Sequence, residues 1–259
     1  MNNFFKNLGV GQESLIRKWL NEHGIEKYTI NNDLTIDVDG DVHLDEYPEK
    51  ELPDYIQFGK VSGYFSIIET QITSLVGSPK ECVYFSCGWN KKLKSLIGAP
   101  KKCREFNCTQ CDLLENLDGA PAICEIFICT CCNKLKNLKG APTICDSFNC
   151  ESCSKLTSLV GAPQKVGGSF HCNDCQQLKN LKGAPQNCNK FHCYGCTKLT
   201  SLEGAPQVCR CVFDCSFCSS LKDLKGIAPK TELIYCNNCG TPFTREYVKK
   251  FCDFERIVI

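Results

Sequence analysis

The chain has 259 residues, 24 of them cysteine, and its 30 Lys and Arg nearly balance 29 Asp and Glu, for a formal net charge of +1. That balance excludes a chain acting through bulk positive charge, and no stretch approaches a membrane span or the basic-then-apolar pattern of a secretory leader. The charge is unevenly placed: residues 1–70 hold 6 Lys or Arg against 13 Asp or Glu, which leaves 24 against 16 for the rest, so net −7 faces net +8.

In chain order, Ser14 to Leu20 carries apolar residues at helical spacing ahead of Gly24, which predicts an amphipathic helix over 11–23. Tyr28-Thr29-Ile30 and Leu34 to Val38 alternate like strands around the turn-prone Asn31-Asn32-Asp33, and Val42-His43-Leu44 begins a first coil-like strand. The run Asp37-Val38-Asp39-Gly40-Asp41 lacks the full calcium loop with its closing glutamate and reads as a solvated turn. Residues 1–51 are therefore expected to form an N-terminal cap of helix and short strands.

From residue 52 to 240 one phrase recurs, C-x-x-F-x-C-x-x-C-x-x-L-x-x-L-x-G-A-P. Its first leucine column runs Ile72, Leu93, Leu114, Leu135, Leu156, Leu178, Leu199 and Leu221. Numbered from the leading cysteine, the apolar positions are 1, 4, 6, 9, 12 and 15. Phenylalanine holds position 4 from Phe85 to Phe213, cysteine holds position 6 from Cys87 to Cys215, and a small-residue corner ending in proline, mostly Gly-Ala-Pro, closes each coil from Pro79 to Pro229. A period of 21–22 residues means one supersecondary turn per repeat, hence a solenoid. Three departures interrupt the cysteine columns: Val166 at position 1 and Ile67 at position 6 of the first coil stay apolar, whereas Asn90 puts a polar amide at position 9. After the array, Thr241-Pro242 with Phe243, Tyr247, Val248 and Phe251 predicts a helical cap over 241–259.

The phrase resembles the leucine-rich repeat, L-x-x-L-x-L-x-x-[N/C]-x-x-L, in its short cysteine-containing and bacterial form, with Phe and Cys in leucine positions. Its L-T-S-L-x-G-A-P corners, as in Leu199 to Pro206, are similar to repeat proteins common in bacteriophage genomes. The resemblance implies an α/β repeat solenoid with a concave parallel sheet, a mostly irregular convex side and capped ends.

The cysteines admit three readings. Cys108, Cys111, Cys129 and Cys132 match zinc spacing, but the same spacing recurs in every adjacent pair of coils, so each thiol would belong to two competing sites. Disulfides between neighbouring coils are sterically open at the strand spacing, yet a chain without a leader is expected in a reducing cytoplasm, a host's if the chain is phage-encoded. Packing accounts for the columns directly: each thiol is a small hydrophobe, and at position 9 a donor to loop backbone groups. Cys131, Cys211 and Cys252 fall outside the columns and are the expected exposed thiols.

In the leucine-rich repeat geometry, positions 3, 5 and 7 face outward on the concave sheet and form columns one strand spacing apart. The candidate partner-binding residues are Tyr84, Asn107, Ile126, Ile128, Asn149, His171, Lys190, His192, Tyr194 and Asp214, with the patch of His171, His192, Tyr194 and Asp214 foremost. Corner lysines such as Lys94, Lys136, Lys179 and Lys222 alternate with Glu115 and Asp223, a solvated surface and not a nucleic-acid track. There is no phosphate-cradling glycine loop or nucleophile elbow, so neither catalysis nor a cofactor is expected. The expectation is a non-enzymatic scaffold for a protein partner, a phage protein acting on a host or defence protein. Nucleic acid, membrane and small molecules are not expected partners, and the alternative is a thiol-rich metal or redox protein.

Overall fold

A phenylalanine every 21 residues, flanked by alternating outward positions, gives a short strand whose ring points inward, and stacking such strands in parallel builds a column of rings. In the computed structural model, which describes residues 2–228, 231–251 and 256–259, that column runs unbroken. Phe65, Phe85, Phe106, Phe127, Phe148, Phe170, Phe191 and Phe213 stack with centroids 5.2–5.5 Å apart. Each ring is at most 1% exposed. Pro229 and Cys252 lie outside the described residues.

The elements are α1 (Asn2–Glu22), β1 (Tyr28–Ile30), β2 (Ile36–Val38), β3 (Val42–His43), β4 (Phe58–Val61), β5 (Tyr64–Ser66), β6 (Tyr84–Ser86), β7 (Glu105–Asn107) and β8 (Ile126–Ile128). They continue with β9 (Ile144–Asn149), β10 (Lys165–His171), β11 (Asn187–His192), β12 (Val208–Asp214), β13 (Leu233–Tyr235), α2 (Arg245–Lys249) and β14 (Arg256–Val258). Among the described residues, β3 and β5–β14 form one sheet of 11 strands in chain order, and its neighbouring strands pair in parallel. The protein is thus a parallel-sheet β-solenoid of about 10 turns with few helices. The ladder reaches beyond 52–240 at both ends, to β3 and β14. No described helix is long and apolar enough to cross a membrane.

The leucine columns fill the opposite wall of the core, Leu93 to Leu224 all at 0% exposure. The corner glycines let coils stack closely: Gly140 sits at φ +87°, and a Cβ there would meet Asp118 N and Leu117 C at 2.5 Å. Longer coils absorb their extra residue as a bulge, at Gly167-Gly168 in β10 and at Arg210-Cys211 in β12.

At the N-terminal end, α1 buries Ile16, Trp19 and Leu20. It ends where the N–H of Gly24 (φ +67°) donates to Asn21 O at 3.1 Å and that of Ile25 to Leu20 O at 2.9 Å, a Schellman arrangement. The helix begins well before residue 11, earlier than its apolar spacing announces. The Trp19 ring meets Phe58 edge-on at 6.3 Å, and Phe58 meets Phe65 at 5.3 Å, so the tryptophan closes the ring column. β1 and β2 form the expected antiparallel hairpin, and β2 pairs in parallel with β4. The Asp37–Asp41 run is spent on the next coil: Asp37 and Asp41 each accept a backbone N–H at 2.7 Å, from Lys60 and Tyr64. At the other end α2 is capped by Thr244, whose hydroxyl accepts the Tyr247 N–H, so the helix starts later than Thr241-Pro242 implies. β14 then follows it into the sheet.

Candidate functional site on the strand face

Because positions 4 and 6 point inward, positions 3, 5 and 7 are left on the opposite face, mostly half-buried. Register alignment joins Asn107, Ile128, Asn149, His171, His192 and Asp214 into one continuous column across β7–β12. Tyr84 and Ile126 share the neighbouring column with Glu105, and Lys190 stands further along it, beyond Ser147 and Ser169. Ile126 and Ile128 flank the buried Phe127 as a half-buried apolar spot. Tyr194 is 39% exposed, and its ring packs edge-on against Phe217 at 5.5 Å.

The centre of this face is a four-member acid–imidazole ladder. The rings of His171 and His192 stack 4.7 Å apart and within 2° of parallel. Glu151 Oε1 lies 4.0 Å from His171 Nδ1, and Asp214 Oδ2 lies 3.9 Å from His192 Nδ1. Asn149 and Asn173 hold Glu151 through their side-chain amides, and Ser216 holds Asp214 through both N–H and hydroxyl. Burial and the neighbouring imidazole push the His171 pKa below its ordinary value, against the pull of Glu151. Burial raises Asp214, but the nearby His192 imidazole and the two hydrogen bonds from Ser216 outweigh it and hold the carboxyl below its usual range.

The cysteine columns lie behind this face, in the core, where their role is visible bond by bond. Each position 9 thiol from Cys111 to Cys239 donates to the position 6 carbonyl of the preceding coil, at 3.1–3.3 Å. Asn90 makes the same contact with its amide, to Ile67 O at 2.7 Å, while its oxygen accepts from Thr70. The described cysteines are free thiols. Burial pushes the position 9 thiol of Cys153 well above its ordinary value and raises the position 6 thiol of Cys150 to about 12, which favours the S–H form that such bonds require over the thiolate that a metal would require. Among the described residues no three His, Cys, Asp or Glu side chains are arranged to hold a metal ion.

Two features were not anticipated. His43, Tyr64 and Tyr84 form a second aromatic stack at the N-terminal end of the face, with centroids 6.2 and 5.6 Å apart. The first coils lack the full cysteine phrase, which hid Tyr64 from a column count. The residue two beyond position 6 takes a positive φ in coil after coil: Glu46, Glu69, Trp89, Gln110, Cys131, Ser152, Asp174, Phe217 and Asn238, with Gly195 between Asp174 and Phe217. Gly195 signals the left-handed turn in the sequence, with Asp174 and Asn238 as weaker signals, and the other positions give none. The column places Trp89 and Phe217 at the exposed rim of the face, and it gives Cys131 its position. Cys131 is half-buried, and burial raises its thiol above the ordinary value.

No protein-family model, curated protein or solved structure matches the chain.

Proposed function

We propose that this protein is a non-enzymatic scaffold of the leucine-rich repeat type, which takes a protein partner on its strand face. The observation that carries the reading is the register-locked column from Asn107 to Asp214, half-exposed side chains on a frame of stacked phenylalanines. Residues so held lose little conformational entropy on binding, and their replacement leaves the core columns untouched. Tyr194 with Phe217 offers the kind of aromatic surface that dominates protein interfaces, beside polar groups that set specificity. The corners similar to phage repeat proteins point to a host or defence protein as partner, met in the host cytoplasm. The thiol-rich metal or redox reading has the S–H donor ladder against it.

The test replaces His171, His192 and Tyr194 together with alanine and compares capture of host-cell proteins by quantitative mass spectrometry. The expected result is an unchanged circular dichroism spectrum with loss of a discrete partner that the unmodified chain retains. Undiminished retention of that partner would move the interface off this face.

A further inference from the structure

Beyond the strand face, the coils leave a second surface feature where the chain passes from the Pro corner into the strand. β9–β12 begin at or before position 1, whereas β5–β8 begin only at position 3. Ahead of those shorter strands the ladder is reduced to the isolated bridges Lys60–Glu81, Glu81–Lys102 and Ile123–Ile144. The result is a groove of about 1160 Å³ along the solenoid axis, spanning the coils from Lys60 to Lys165. Five strand spacings of about 4.8 Å make it roughly 24 Å long. Its floor is the position 1 thiols Cys82, Cys103, Cys124 and Cys145, and Ile123 and Ile144 stand along it at 61% and 48% exposure.

Charge at the rim is asymmetric. Glu81 and Glu125 are neutralised by Lys102 and Arg104. Lys60, Lys101 and Lys165 have no ion-pair partner among the described residues, and the remaining rim carboxylate, Asp146, lies towards the Lys165 end. The backbone N–H groups of Arg104, Glu125 and Asp146 are already bonded to Val83, Arg104 and Glu125 carbonyls at 2.8–2.9 Å. The floor therefore offers apolar surface without a free edge on which a peptide strand could pair.

We infer that this groove binds a free long-chain fatty carboxylate, its alkyl chain along the thiol floor past Ile123 and Ile144 and its carboxylate at the Lys60–Lys101 end, away from Asp146. This ligand class runs against the expectation from sequence that small molecules are not partners, and it does not depend on the strand face having a partner. The test is calorimetric titration of the full chain with octanoate, dodecanoate and hexadecanoate below their micellar concentrations, and with the matching alcohols. Affinity is expected to rise by roughly fourfold per added methylene. Ile123→Asp with Ile144→Asp, both exposed side chains, should weaken hexadecanoate by about tenfold or more. Lys60→Gln with Lys101→Gln should weaken the carboxylate and leave the alcohol unchanged, with thermal melts of both double variants matching the parent. Affinity independent of chain length, or untouched by the aspartate pair, would overturn the site. Equal binding of acid and alcohol would overturn the anion assignment.

Discussion

Cys153 donates its S–H to the Cys129 carbonyl at 3.2 Å, and no backbone N–H among the described residues reaches that oxygen. The thiol therefore satisfies a buried acceptor that the coil-to-coil ladder leaves out, a stronger reason for a cysteine than volume alone. Cys153→Ala strands the carbonyl and is expected to cost about 1–3 kcal/mol. Cys153→Ser keeps a donor while losing the larger sulfur, so its urea midpoint should fall between parent and alanine variant. An alanine variant as stable as the serine would reduce the thiol to a space-filler. At the surface, His171 is the residue whose ionisation reports the fold. Its folded pKa is depressed, so the folded state binds fewer protons than the unfolded chain below the ordinary histidine value of about 6.5. The stability it contributes is present above that value and is lost as pH falls through the depressed pKa. His192, Glu151 and Lys190 are the charged or titratable groups that set it. The expected outcome is a melting temperature that declines from pH 7 to pH 5, with a shallower decline in His171→Asn. Parallel declines in both proteins would place the proton elsewhere.

At the scale of one coil, the corner and the strand make opposite demands on the backbone. Gly140 closes its corner against the preceding coil, where an added methyl would lie 2.5 Å from Asp118 N with no flexible side chain to move aside. Gly140→Ala is expected to unfold its coil, read as loss of hydrogen-exchange protection in residues 117–141. Gly11→Ala, with nothing within 4 Å, should be neutral or stabilise α1 by about 0.5–1 kcal/mol. The corner glycines, the Phe column and the leucine columns were legible because every coil repeats them in phase, and burial drives each one. The left-handed column was not legible, because Trp89, Gln110, Cys131 and Phe217 adopt by tertiary constraint a conformation that sequence normally signals with glycine. The candidate site was legible as a face, since alternation fixes which side chains point away from the core. It was not legible as a ladder, because the carboxylate–imidazole contacts depend on register between coils. Cys211, out of column in the sequence, lies in the bulge that accommodates a longer coil.

For the whole molecule, stability should be distributed along the axis, each coil resting on its two neighbours, with the ends as the weak points. The termini were the least legible part for the same reason: an end must cover an open core and so departs from the repeat. α1 covers it with Trp19, packed on Phe58, Tyr47 and His23. In the middle of the column Phe148 is sandwiched between Phe127 and Phe170 at 5.3 and 5.4 Å. Both truncations to alanine remove a buried aromatic, and each should cost about 3–5 kcal/mol locally. Their consequences differ by position. Phe148→Ala breaks the continuity of the column, so melting is expected to resolve into two transitions for the coils on either side. Trp19→Ala exposes one end and should fray β3 to β5 while leaving protection from β9 onward unchanged. Hydrogen exchange followed residue by residue distinguishes these outcomes. A uniform loss of protection in both variants would mean that the solenoid unfolds as one cooperative unit, coupled too tightly for its coils to respond separately.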